Sequence, residues 1–169
     1  MEKINRRGLL WVMVVLWMVI IFCFSAQPAD ESAQLSGGIV TTVVNAVVSN
    51  FDNLSLGEQA SITRQTSFIV RKTAHAGIYA MLGLFTMFAL NQTAKTTAFQ
   101  KIKKIQTQVS LALVICLLYA ISDEFHQLFV LGRSCELRDV LIDVTGACVG
   151  IIIVWLMINS RRHRERMRL

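Results

Sequence analysis

The sequence predicts an all-α integral membrane protein, a bundle of four transmembrane helices with an extracytoplasmic loop carrying an interfacial helix between the first two. Three observations lead there. Of 169 residues, 54% are hydrophobic and only 17% charged, which suits a chain solvated by lipid better than a water-soluble domain of this length. The apolar residues come in four blocks near the roughly 20 residues that cross a bilayer core. Lys and Arg gather at alternate connections, as in a chain that weaves through a membrane. No internal repeat or low-complexity segment interrupts the sequence, so one membrane domain over residues 1–169 is expected.

The spans are expected at residues 8–26, 71–90, 109–130 and 140–158. The first follows basic residues, as a signal peptide would, but it is long for a signal core and ends in "CFSAQPAD" without a good small-residue cleavage pair. It reads as an uncleaved first helix. Residues 25–67 form the one long connection. Within it, "GGIVTTVVNAVVSNF" places Ile39, Val43 and Val47 at helical spacing, too short and polar to span. A helix lying along the interface or packed on the bundle is expected, with a strand as the alternative given the Val and Thr content. "SLGEQASIT" then reads as a helix start, with Ser55 as N-cap and Glu58 as its capping-box partner. That helix is expected to run on into the second span.

Charge sets the expected orientation. Lys3, Arg6 and Arg7, then Lys95, Lys101, Lys103 and Lys104, then Arg161, Arg162, Arg164, Arg166 and Arg168 make up twelve of the seventeen basic residues. Four crossings place them all on one side, which the positive-inside rule makes cytoplasmic. Both termini then lie in the cytoplasm. The basic tail faces anionic lipid rather than nucleic acid. The acidic connection, with Asp30, Glu31, Asp52 and Glu58, lies outside.

Against this background a second set of polar residues stands out, because it opposes the charge rule. Ser25 and Gln27 end the first span. Arg71, Lys72 and His75 open the second, Asp123, Glu124, His126 and Gln127 close the third, and Arg138, Asp139 and Asp143 open the fourth, with Arg133 in the loop between. Four crossings bring all of them to the outer end of one bundle. Helical spacing puts Lys72, His75, Tyr79 and Gly83 on one stripe. Tyr119, Asp123, His126 and Gln127 share another, with Glu124 at its edge, and Asp139, Asp143, Gly146 and Gly150 a third. Taken singly, Arg71, Arg138 and Ser25 read as boundary or packing residues, and His126 stays open between boundary residue and ligand contact. Lys72, His75, Asp123, Glu124, Gln127, Arg133 and Asp139 read together as a site, because ionisable groups in membrane segments are costly unless they do something. Of the four cysteines, Cys23, Cys116 and Cys148 fall in spans and Cys135 in the outer loop, with no disulfide or metal spacing. No cofactor is expected.

"FSAQP" at 24–28, "RKTAHAGIYAMLG" at 71–83 and "DEFHQLFVLGRSCELRDVLIDVTGACVG" at 123–150 resemble the VanZ-like family of bacterial membrane proteins, over about residues 10 to 155. The resemblance carries over to Ser25, Gln27, Lys72, His75, Tyr79, Asp123, Glu124, Gln127, Arg133, Asp139, Gly146 and Gly150. Leu131 stands where the family usually has proline, and Cys135 where glycine is common, so the outer loop differs in shape. The resemblance implies a bacterial cytoplasmic membrane and a link to glycopeptide (teicoplanin) susceptibility, without naming a reaction.

Three functions fit. The first is binding of an anionic lipid headgroup or lipid-linked cell-wall precursor by Lys72, His75 and Arg133, with Gln27, Tyr79, Asp123, Glu124, Gln127 and Asp139 completing the contacts. The second is a membrane enzyme on a lipid or lipid-linked substrate, with His75, Glu124 or Asp123 moving protons. No nucleophile or phosphatase motif supports it. The third is a small transporter. The oligomeric state is not legible.

Overall fold

The computed structural model describes residues 6–95, 104–133 and 135–167. Lys3, Lys101, Lys103 and Arg168 lie outside the described residues, as do the side chains of Asp30, Glu31, Arg162 and Arg166. Among the described residues five α-helices follow in order: α1 (Arg6–Ser25), α2 (Ala29–Val47), α3 (Leu56–Ala94), α4 (Ile105–Gln127) and α5 (Leu137–Arg166). No strand occurs among the described residues. Four of the five, all but α2, are long and apolar enough to cross a membrane.

Local chemistry sets the boundaries. After α1, Pro28 takes φ −52° at the start of α2, where its missing N–H is not needed. Residues 37–47, for which a strand was the alternative, are helical within α2. Their Val40 and Val44 are buried, whereas Ile39, Val43 and Val47 face outward. Asn50 turns the chain in the left-handed region at φ 61°. Ser55 and Glu58 then form the expected capping box: Ser55 N donates to Glu58 Oε2 at 3.0 Å, and Glu58 N to Ser55 Oγ at 3.4 Å.

From that cap α3 runs unbroken for 39 residues, about 58 Å at 1.5 Å per residue and nearly twice a bilayer core. It therefore begins well before the expected span at residue 71. α4 stops at Gln127, short of the predicted limit at 130, because Phe129 N and Val130 N turn back onto His126 O and Gln127 O at 3.0 Å each. Gly132 completes the turn at φ 75°, a backbone state that costs glycine little.

α3 is the hub, packing on each of the other four helices and most extensively on α5. In lipid no hydrophobic force draws helices together, so close approach and hydrogen bonds must do it. Small residues supply the approach: a Cβ on Gly83, Gly146 or Gly150 would overlap the carbonyl of Ala147, Ala76 or Ala80 respectively. The Gly146–Gly150 spacing is the small-xxx-small pattern of tightly crossed membrane helices. Hydrogen bonds tie α1 in: Trp17 Nε1 donates to Ile78 O at 2.7 Å, Trp11 Nε1 to Thr93 Oγ1 at 3.0 Å, and Tyr119 Oη to Met18 O at 2.5 Å. The outward faces of α1, α4 and α5 carry Leu16, Val19, Leu118, Ile121, Ile152 and Leu156, all exposed. In water such a surface would aggregate; in a bilayer it is the solvated face.

Candidate functional site

The sites flagged on separate helices meet at one end of the bundle. Lys72 of α3 forms an ion pair with Asp139 at the start of α5. One turn further along, His75 Nδ1 lies 3.5 Å from Asp143 Oδ1. These two rungs repeat the i, i+3/i+4 spacing on each helix, and the glycine seam just beyond them holds the backbones close enough for the side chains to meet. Asp143 is fully buried.

α4 adds the next layer. Its buried row is Cys116, Ala120, Asp123, Glu124 and Gln127. Glu124, expected at the edge of the polar stripe, is thus inside, and one of its oxygens (Oε2) accepts the Glu136 N–H at 3.1 Å, joining the end of α4 to the start of α5. His126 is the opposite case. It sits one residue off that row, and its ring stacks on Phe22 at 4.3 Å between centroids, so it packs against α1 rather than lining the polar end. Tyr119 likewise turns to α1 through its bond to Met18 O. Around the buried Asp123 carboxylate gather Ser25, Gln127, Tyr79 and His75. Ser25, read singly as a boundary residue, is buried there. Tyr79 is fully buried one turn along from His75.

The α4–α5 loop closes the end. Arg133 Nε donates to Gln27 O at 3.2 Å, reaching across to the α1–α2 connection. Between loop, α3 and α5 lies a cleft of about 220 Å³, lined by four cations, Arg71, Lys72, Arg133 and Arg138, and two carboxylates, Glu136 and Asp139, with His75 and Gln127. Lys72 pairs with Asp139, and Arg138 with Glu136 at 2.9 Å. Arg71 and Arg133 pair with no carboxylate among the described side chains. Burial pushes the Arg133 guanidinium below its usual range, and the neighbouring Arg71 charge pushes it further the same way. The Asp123, Glu124 and Asp139 carboxylates act in the opposite sense, and an anion between the two guanidinium groups would add to that offset.

Of the nine residues predicted for ligand contact, Lys72, His75, Gln127, Arg133 and Asp139 line this cleft. Tyr79, Asp123 and Glu124 are buried behind it, and Gln27 lines a neighbouring cavity. Sequence reasoning underrated Arg71 and Asp143. The signal for Asp143 was present, since it follows Asp139 by four residues on the stripe that ends in Gly146 and Gly150. Among the described residues no three His, Cys, Asp or Glu side chains come together as a metal-binding set.

Fold and site together define a class: a multi-pass helical membrane protein in which ionisable residues from two membrane helices, α3 and α5, and from the α4–α5 loop line a cationic cleft. The sequence profile of the VanZ/LLP1 family matches residues 10–158, and the chain belongs to that family. Neither a curated protein nor a solved structure matches it.

Proposed function

We propose that the protein binds an anionic group in this cleft, on the outer face of a bacterial cytoplasmic membrane, the group being the phosphate of a lipid headgroup or of a lipid-linked cell-envelope precursor. The observation that carries the reading is the unpaired couple Arg71 and Arg133, whose planar guanidinium forks suit phosphate oxygens. The outer placement rests on the described cations at the other end of the bundle, among them Lys95 and Arg161, which the positive-inside rule assigns to the cytoplasm. Occupancy of the cleft is the step through which glycopeptide (teicoplanin) susceptibility changes.

The test is a thermal melt of the purified chain in phosphatidylcholine nanodiscs with added pyrophosphate. A ligand at a hundred times its Kd stabilises the folded state by about 2.7 kcal/mol, so Tm rises in the native chain and stays put in Arg133→Ala. An unchanged Tm in the native chain, or an equal rise in the variant, refutes the reading.

A second reading, a membrane enzyme on a phosphate-bearing lipid, is favoured by one feature. His75 alone of the three proton-transfer candidates lines the cleft, and the buried Asp143 carboxylate backs its ring. Lipid analysis of membranes carrying the native chain or His75→Gln separates the two: general acid–base catalysis is worth about 10²–10⁴-fold in rate, so an enzyme's lipid product falls by that factor in the variant, whereas a binder yields no product with either chain.

A further inference from the structure

A second cavity, of about 270 Å³, opens beside the cationic cleft between α1, α2 and α3. Its walls are unlike those of the cleft. Phe24, Ile39, Val70, Ala74 and Ile78 make it apolar, and Arg71, His75 and Arg133 belong to both cavities. Three cationic or ionisable side chains thus stand at the boundary between a charged chamber and a hydrocarbon-lined one. Ile39 and Ala74 are exposed on the outer faces of α2 and α3, so the apolar chamber opens sideways, onto the flank of the bundle, and not only towards its end.

We infer that the apolar cavity receives the hydrocarbon chain of the ligand whose phosphate lies between Arg71 and Arg133. The ligand class is therefore a membrane lipid that carries its phosphate on a hydrocarbon chain, entering laterally from the outer leaflet beside α2, and not a free soluble phosphate. This rests on the anion-binding reading above and narrows it. The volume falls just under the roughly 300–1,000 Å³ of ordinary ligand pockets, so it holds the head-proximal stretch of one chain while the remainder stays in the bilayer. A hydrocarbon chain already in lipid gains little by leaving it, so the groove contributes shape and position more than hydrophobic free energy. Arg71 and Arg133 hold the phosphate at the junction, and His75, reaching both chambers, donates to an oxygen on the chain side. This gives α2 a role that its amphipathic sequence alone does not explain: it forms the outer wall of the chain groove.

The probes are methyl, octyl and dodecyl phosphate, added to the purified full chain in phosphatidylcholine nanodiscs, with affinity read by melt shift. Native protein is expected to bind dodecyl phosphate more tightly than methyl phosphate. Ala74→Trp and Ile39→Trp fill the groove from exposed positions without entering the core. Each is expected to weaken dodecyl phosphate by about tenfold or more, the usual scale of an overpacked contact, and to leave methyl phosphate unchanged. A dodecyl phosphate with a photoreactive carbon near its head should crosslink in the native chain to peptides containing Ile39 or Ala74. Crosslinks spread evenly over the lipid-facing sides of α1, α4 and α5, or equal losses for both phosphates in the Trp variants, overturn the groove while leaving the anion site standing. Failure of all three phosphates to bind the native chain overturns the anion site itself, and the groove with it.

Discussion

Gly150→Ala is a severe change for its size, and the structure says by how much. The added Cβ would overlap the Ala80 carbonyl of α3, with the Leu84 amide also inside contact distance, so both obstacles are backbone and neither can rotate away. α5 must move off α3, which places the cost in the range of about 1–3 kcal/mol found for overpacked cores. A helical Gly→Ala change also brings a propensity gain, about 0.8–1.0 kcal/mol in water, which clouds any single measurement. Gly77 on α3 is the internal control, because a Cβ there meets nothing within 4 Å. Gly77→Ala has the propensity gain without the overlap, so the difference between the two variants isolates the steric effect. Equilibrium unfolding of purified protein in mixed micelles, the native chain and both variants side by side, reads that difference. We expect Gly77→Ala at or above native stability and Gly150→Ala lower than it by about 1–3 kcal/mol. Equal stabilities would mean that the helices are not in backbone contact, and the account of how Lys72 reaches Asp139 would fall with it.

Lys72→Ala strands Asp139; because both partners are partly exposed to solvent, the loss should fall below the about 3–5 kcal/mol of a fully buried pair. The double variant with Asp139→Asn should recover most of it in the same unfolding measurement. Cys135 is exposed in the α4–α5 loop, so in a chain with Cys23, Cys116 and Cys148 replaced it should react with an impermeant thiol reagent on intact cells. Labelling only after permeabilisation would move the cleft to the cytoplasmic side.

The membrane helices were legible because lipid demands continuous apolar runs, and such runs are visible residue by residue. The start of α3 was legible for another reason: the Ser55–Glu58 cap is a local device, complete within four residues. Local signals failed where partners lie far apart in sequence. On the wheel, Asp123, His126 and Gln127 looked equivalent and Glu124 peripheral. Only the packing of α4 against α3 and α5 selects the row holding Asp123, Glu124 and Gln127 and leaves His126 to Phe22. The burial of Ser25 is a tertiary fact of the same kind, set by where α1 ends against α4. Arg71 looked like a boundary residue because nothing in its own helix reveals that Arg133, 62 positions later, faces the same cleft.

The length of α3 bears on how the site meets disturbance from outside. The helix is clamped to α5 where Gly146 meets Ala76, and that clamp acts as a fulcrum. Leu56 lies about 30 Å from it and Lys72 about 6 Å, at 1.5 Å per residue. A rigid rod on that pivot has a gear ratio of about five to one, so a 5 Å sway of the outer tip shifts the Lys72 backbone by only about 1 Å. His75, one residue from the pivot, barely moves. Whatever moves the far end of this helix, the charged rungs lie close to the pivot, where a rigid rod travels least.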